Sequence, residues 1–144
     1  MAQDNSSSLG VAVPGNDPDM RQAFLEARRT VEQFIQCVQK PTPTQEYFAV
    51  KVRLNGNDLD EFIWVSDIAY DGFAFTGKIV NQSDLLPSPQ TPGDVYHVHK
   101  DDIVDWMIVD KGQLIGGYTI RVARNKMTPQ NRKRLDATLW FAVD

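Results

Sequence analysis

The sequence predicts an α+β domain: a leading helix packed on a bent, barrel-like antiparallel sheet, with a C-terminal helix after it. Three observations carry that prediction. Apolar residues between Met20 and Val38 recur at steps of three and four, the period of a helix. From Tyr47 the period drops to two, and Asn-Gly and Asp-Gly turn signals punctuate the alternation. The chain has 144 residues with 42% hydrophobic and 24% charged side chains, an ordinary composition for one domain with its own core.

Residues 1–16 read as a flexible leader, because Ser6-Ser7-Ser8, Gly10, Pro14 and Gly15 break regular structure, and residues 17–144 as a single domain. Asp17-Pro18-Asp19 is a helix start: a capping carboxylate, a proline suited to the first helical position and an acid that complements the dipole. The apolar face that follows is Met20, Ala23, Phe24, Ala27, Val31, Phe34, Ile35 and Val38, and Pro41 and Pro43 end the helix. Cys37 lies near the end of that helix and reads as core or half-buried rather than reactive; one cysteine excludes a disulfide framework within the chain.

Phe48, Val50, Val52 and Leu54 alternate with Tyr47, Ala49, Lys51 and Arg53, the signature of a half-buried strand. Asn55-Gly56-Asn57-Asp58 is a turn, 61–65 the return strand, Asp71-Gly72 the next turn and 73–80 a third strand. Residues 81–94 are irregular. Val95–His99 is a short strand, and Asp101-Asp102 opens one turn of helix. Asp110-Lys111-Gly112 joins 106–109 and 113–115 as a second hairpin, and Gly116-Gly117 redirects the chain. Residues 118–127 permit strand or helix, with helix preferred. Thr128-Pro129 caps a helix over 130–139, and the apolar tail 140–143 is expected to dock on the body.

The net charge of −4 is unevenly spread. Residues 41–120 hold twelve acidic and five basic residues, whereas 121–144 hold two acidic and six basic. An acidic body repels phosphate backbones, which disfavours nucleic-acid binding. No apolar run reaches the length of a membrane span, and the first residues lack the basic-then-apolar pattern of a secretory signal, so a cytoplasmic location is expected.

Several blocks then resemble one bacterial family. Phe62-Ile63-Trp64-Val65, Phe75-Thr76-Gly77, Pro92-Gly93-Asp94, Asp102-Ile103-Val104-Asp105-Trp106-Met107 and Gly116-Gly117-Tyr118-Thr119-Ile120-Arg121 are similar to the YegJ-like family, which carries the domain of unknown function DUF2314. Asp17-Pro18-Asp19-Met20 with Ala27-Arg28 resembles its lead-in helix, so the likeness covers roughly 17–127. The resemblance implies no assigned activity. Small bacterial families of this kind often accompany toxins as immunity proteins, an argument by association.

Candidate chemistry is sparse. His97 and His99 share one strand face, and with Asp101 or Asp102 they form a weak candidate for a metal site or a metal-dependent enzyme. There is no Gly-x-Ser-x-Gly elbow and no phosphate loop. Trp64 and Trp106 read first as core, and alternatively as an aromatic patch rimmed by carboxylates, the make-up of a protein-binding hot spot. Asp105 and Arg121 are expected to form a buried ion pair. The sequence therefore leads to a non-catalytic protein-binding function without a cofactor, in its sharpest form an immunity protein that neutralises a cognate toxin with a basic cleft. The expected contact set is Glu61, Trp64, Asp101, Asp102, Asp105, Trp106 and Asp110. Small-ligand binding, or catalysis through His97, His99 and nearby aspartates, is the alternative.

Overall fold

Asp17 starts the first helix as its sequence predicts, with its carboxylate accepting from the backbone N–H groups of Asp19 and Met20. In this computed structural model, which describes residues 16–55, 60–81 and 91–144, that helix is α1 (Pro18–Gln39). Six strands follow: β1 (Gln45–Asn55), β2 (Asp60–Tyr70), β3 (Phe75–Ile79), β4 (Val95–Val98), β5 (Ile103–Asp110) and β6 (Gln113–Gly116). A 3₁₀ turn (Lys100–Asp102) leads into β5, and α2 (Tyr118–Asn125) and α3 (Pro129–Thr138) close the chain. The ambiguous segment after Gly117 is thus helical.

All six strands pair antiparallel in the order β4-β3-β2-β1-β5-β6. The sheet is open, with β4 and β6 at its edges, so it is bent as expected without closing into a barrel. It is strongly bent. β4 and β5 lie four strand spacings apart, about 19 Å on a flat sheet. Yet Val98 and Ile103 are five residues apart, and a chain of that length spans at most roughly 17 Å. Only a curled sheet satisfies both. Bulges supply part of the curl: β1 shifts register against β5 between Lys51 and Val52, and β2 against β3 between Ser66 and Ala69, where Asp67 takes φ 54°. That second bulge also carries β2 past Val65, where the periodicity had ended it.

α1 lies on one face of the curl. Ala27, Val31, Phe34 and Ile35 pack against Val50, Val52, Ile63, Val65, Trp106 and Ile108, all fully or nearly fully buried. Side chains of this size stabilise by roughly 1.5–3 kcal/mol each when fully buried. The opposite face carries a smaller core of Ala49, Met107, Val109 and Leu114, covered by Ile120 of α2 and Phe141 of the tail. The tail docks as expected: Leu114 N–H donates to the Ala142 carbonyl and Ala142 N–H to the Gly112 carbonyl, which covers part of the β6 edge.

The third strand starts at Phe75, two residues later than its alternation suggests. The Asp71 carboxylate accepts from the N–H groups of Phe73 and Ala74, each at 2.9 Å, and holds both in the turn. The Asn55–Asp58 turn and the leader reading fall largely on residues outside the described set. Among the described residues no helix is long and apolar enough to cross a membrane.

Candidate functional site

Two of the blocks that carry the family resemblance, 102–107 and 116–121, meet around one carboxylate. β6 ends in Gly116 (φ 72°) and Gly117 (φ 63°), two successive left-handed residues that fold α2 back onto β5. A side chain at Gly116 would place Cβ 2.5 Å from the Trp106 carbonyl oxygen, so only glycine fits. The reversal aims the first amides of α2 at Asp105. Oδ1 accepts from Trp106 N–H (2.8 Å) and Tyr118 N–H (3.1 Å), and Oδ2 from Thr119 N–H (2.8 Å) and the Thr119 hydroxyl (2.6 Å). Gly117 has no capping side chain, and Asp105 does the capping from a neighbouring strand.

Lys51 faces Asp105 across the β1–β5 register. Its Nζ donates to Thr119 Oγ1 at 3.2 Å and lies 5.2 Å from the Phe62 ring centre and 6.0 Å from that of Trp64. Burial pushes the Asp105 carboxyl up from its ordinary value, against the Thr119 hydrogen bonds and the Lys51 charge. Burial likewise pushes Lys51 down, against the pull of Asp105. Both oxygens of Asp105 are occupied by donors from the protein. The cluster ties β1, β5 and α2 together and offers no vacant carboxylate to a substrate.

The expected Asp105–Arg121 pair does not form. Arg121 donates to the carbonyls of Gly116 (2.9 Å) and Leu114 (2.8 Å) and pairs with Asp144 (2.7 Å), clamping the end of β6 to the C-terminus. Asp105 has Lys51 as its charge partner.

Burial also divides the expected contact set. Asp105, Trp106 and Trp64 are 0%, 1% and 5% exposed, which removes them from any exposed surface. The indole of Trp106 packs on Phe34 and Tyr118, and its N–H donates to Thr30 Oγ1 at 3.1 Å. Asp101 and Asp102 are exposed in the 3₁₀ turn. Asp110 is half-buried at the end of β5 beside the Lys111-Gly112 turn, and Glu61 is half-buried at the start of β2. The four carboxylates that keep some exposure therefore do not form one patch: Asp110 sits at the far end of β5 from the 3₁₀ turn.

His97 and His99 are exposed, and among the described residues no group of three or more His, Cys, Asp or Glu side chains is placed to hold a metal ion. A groove of about 460 Å³ separates α1 from α2, lined among others by Asp19, Glu26, Tyr118 and Lys126. Its carboxylates are already engaged, Asp19 by Lys126 and Glu26 by Arg29. Sequence reasoning missed Lys51 and Thr119. The only signal for either was the Gly-Gly-Tyr-Thr block, and alternation had placed Lys51 on the face away from the helix without showing what meets it there.

The family described as "Uncharacterized protein conserved in bacteria (DUF2314)" matches residues 17–142. The uncharacterized protein YegJ of Escherichia coli K12 is 31% identical over 101 residues, which cover 70% of this chain and 64% of that protein. A Neisseria meningitidis serogroup B protein named for ankyrin repeats is 32% identical over 121 residues, 81% of this chain and 43% of its own length. The chain thus spans less than two thirds of either relative. No solved structure matches it significantly.

Proposed function

We propose that this chain, which belongs to the DUF2314 family of uncharacterized bacterial proteins, is a protein-binding module that acts by contact rather than by chemistry, on a partner with a basic surface. The observation that carries this reading is the 3₁₀ turn: Asp101 and Asp102 are both exposed, and no described residue hydrogen-bonds either carboxylate. Charges held outward in this way steer and pair with an oppositely charged partner. The engagement of Asp105 by four donors supports the same reading, because it leaves the most buried acid with a structural task. The relative named for ankyrin repeats adds weak support, since repeat proteins present extended binding surfaces. In its sharpest form the partner is a toxin whose basic cleft the acidic turn blocks in the cytoplasm, and this chain is its immunity protein.

The test is recovery of partners from the native cells with this chain as bait, read by mass spectrometry. The reading expects one basic protein in equal amount. Asp101→Lys with Asp102→Lys should then slow association and flatten its salt dependence. Recovery of no partner, from a chain that is monomeric, overturns it.

A further inference from the structure

The aromatic anchor that the sequence sought in Trp64 and Trp106 stands elsewhere. Phe73 is 93% exposed, more than any other large hydrophobic side chain among the described residues. It projects from the β2–β3 turn, and that turn is fixed from several sides. The Asp71 carboxylate accepts from Phe73 N–H and Ala74 N–H, Asp71 N–H donates to the Ala74 carbonyl, and the Tyr70 hydroxyl donates to the Gly72 carbonyl at 3.1 Å. Tyr70 in turn stacks on Phe75 with ring centres 4.4 Å apart. An apolar ring held in water on a preorganised turn loses little conformational freedom on binding, which is what makes an anchor effective.

The surroundings state what kind of partner fits. Phe75 pairs with Tyr70 on one side and with Val98 on the other. The turn bearing Phe73 and the chain that leaves Val98 for Asp101 and Asp102 therefore emerge side by side at one end of the sheet. Tyr70, whose hydroxyl holds the turn, lies near Lys100 of the second segment. Lys100 is paired with Glu32. The anchor thus stands beside Asp71, at the end of the sheet from which the chain runs on to the exposed Asp101 and Asp102. Trp140, the next exposed aromatic, packs edge-on against Tyr47 and Phe141 and has no such setting.

We propose that Phe73 is the anchor of a docking surface at this end of the sheet, and that it inserts into an apolar pocket rimmed by lysine and arginine on a protein partner. The proposal rests on the protein-binding reading above and adds to it the contact residue and the shape of the complementary site. Phe73 supplies apolar contact, and the aspartates supply orientation and association rate.

The experiment uses the full chain in its native cells and as purified protein. A photoreactive Phe73→p-benzoylphenylalanine variant is irradiated in the cells, with the same replacement at Leu25 as a control for general exposure. The recovered partner is then titrated with wild-type, Phe73→Ala and Leu25→Ala chains. The expected result is an adduct from position 73 that Asp101→Lys with Asp102→Lys abolishes, and a Kd raised about tenfold or more by Phe73→Ala but less than about twofold by Leu25→Ala. Because Phe73 is exposed, its truncation should leave the thermal midpoint unchanged, so lost binding is not lost folding. A partner that binds wild type and Phe73→Ala equally overturns this inference and leaves the protein-binding reading standing. No partner and no adduct overturns both. Binding of the purified chain to phosphatidylcholine vesicles that Phe73→Ala removes would assign the ring to a lipid surface and overturn the protein pocket.

Discussion

Asp101 and Asp102 lie within four residues of Asp105, and the structure puts them to opposite uses. Asp105 is wholly buried, with four protein donors on its two oxygens and a lysine across the strand. Asp101 and Asp102 are exposed on a single turn of helix. The aromatic residues divide in the same way: Trp106 is buried and hydrogen-bonded, while Phe73 stands in water. What separates the members of each pair is whether backbone elsewhere comes to meet them. The Gly116-Gly117 reversal delivers two amides to Asp105, whereas among the described residues no donor reaches the Asp101 or Asp102 carboxylate. A carboxylate bound by the fold is a structural part, and one left unbound is available to a partner.

The largest effect that tests this contrast is at Asp105. Asp105→Ala strands the Tyr118 and Thr119 amides and leaves Lys51 without its counter-charge, which should cost about 3–5 kcal/mol in urea unfolding. Lys51→Met combined with Asp105→Asn sharpens the point. A coupling of about 1–3 kcal/mol in the double-mutant cycle would identify the pair as interacting charges, and a coupling near zero would reduce Asp105 to a helix cap. Gly116→Ala should cost more than about 1 kcal/mol, because it forces a side chain into a left-handed residue and against the Trp106 carbonyl. Tolerance of alanine there would mean the reversal is not what aims α2 at Asp105.

These residues also show how far the sequence could be read. Asp17-Pro18 and the apolar stripe placed α1 because capping and periodicity are local. β1 followed from alternation for the same reason, and β2, β5 and β6 from the turns that flank them, although β2 was read only to Val65 and β5 only from Trp106. The bend itself was expected from short strands and tight turns, but where the sheet curls was not legible, since that depends on bulges at Lys51/Val52 and near Asp67 that leave no mark in composition. Nor was the partner of Asp105. Arg121 looked like the natural counter-ion in the adjoining block, and Lys51 is chosen by a register set more than fifty residues away in the chain. Phe73 was read as strand because alternation cannot see the Asp71 carboxylate capturing its amide.

Titration separates the aspartates by sign. Burial raises the Asp105 carboxyl, so the stability it contributes is present at acid pH and lost as pH rises through its folded value. The Ala74 and Phe73 amides hold Asp71 below the ordinary carboxylate value, so its contribution is present above about pH 4 and lost as pH falls through its folded value. Carboxyl ¹³C resonances followed by NMR should therefore move late for Asp71 and early for Asp105 as acid is added. In Asp71→Asn the acid limb of the stability curve should become shallower. A common midpoint for both carbons would remove the distinction between a lock on the exposed tip and a buried cap.

The smallest expected change is the one the contact reading most needs. Asp101→Asn and Asp102→Asn should leave unfolding free energy within about 0.5 kcal/mol of wild type, because neither carboxylate holds a hydrogen bond within the described fold. The Asp101 carbonyl does accept from Arg28, but a side-chain change leaves that bond in place. Removing negative charge from an acidic segment also relieves self-repulsion, so any shift should be toward greater stability. A loss of several kcal/mol, matched against Asp105→Ala by the same urea measurement, would show that the turn is bound into the fold after all. The acids would then be spent on the protein itself, and the surface offered to a basic partner would reduce to Phe73 alone.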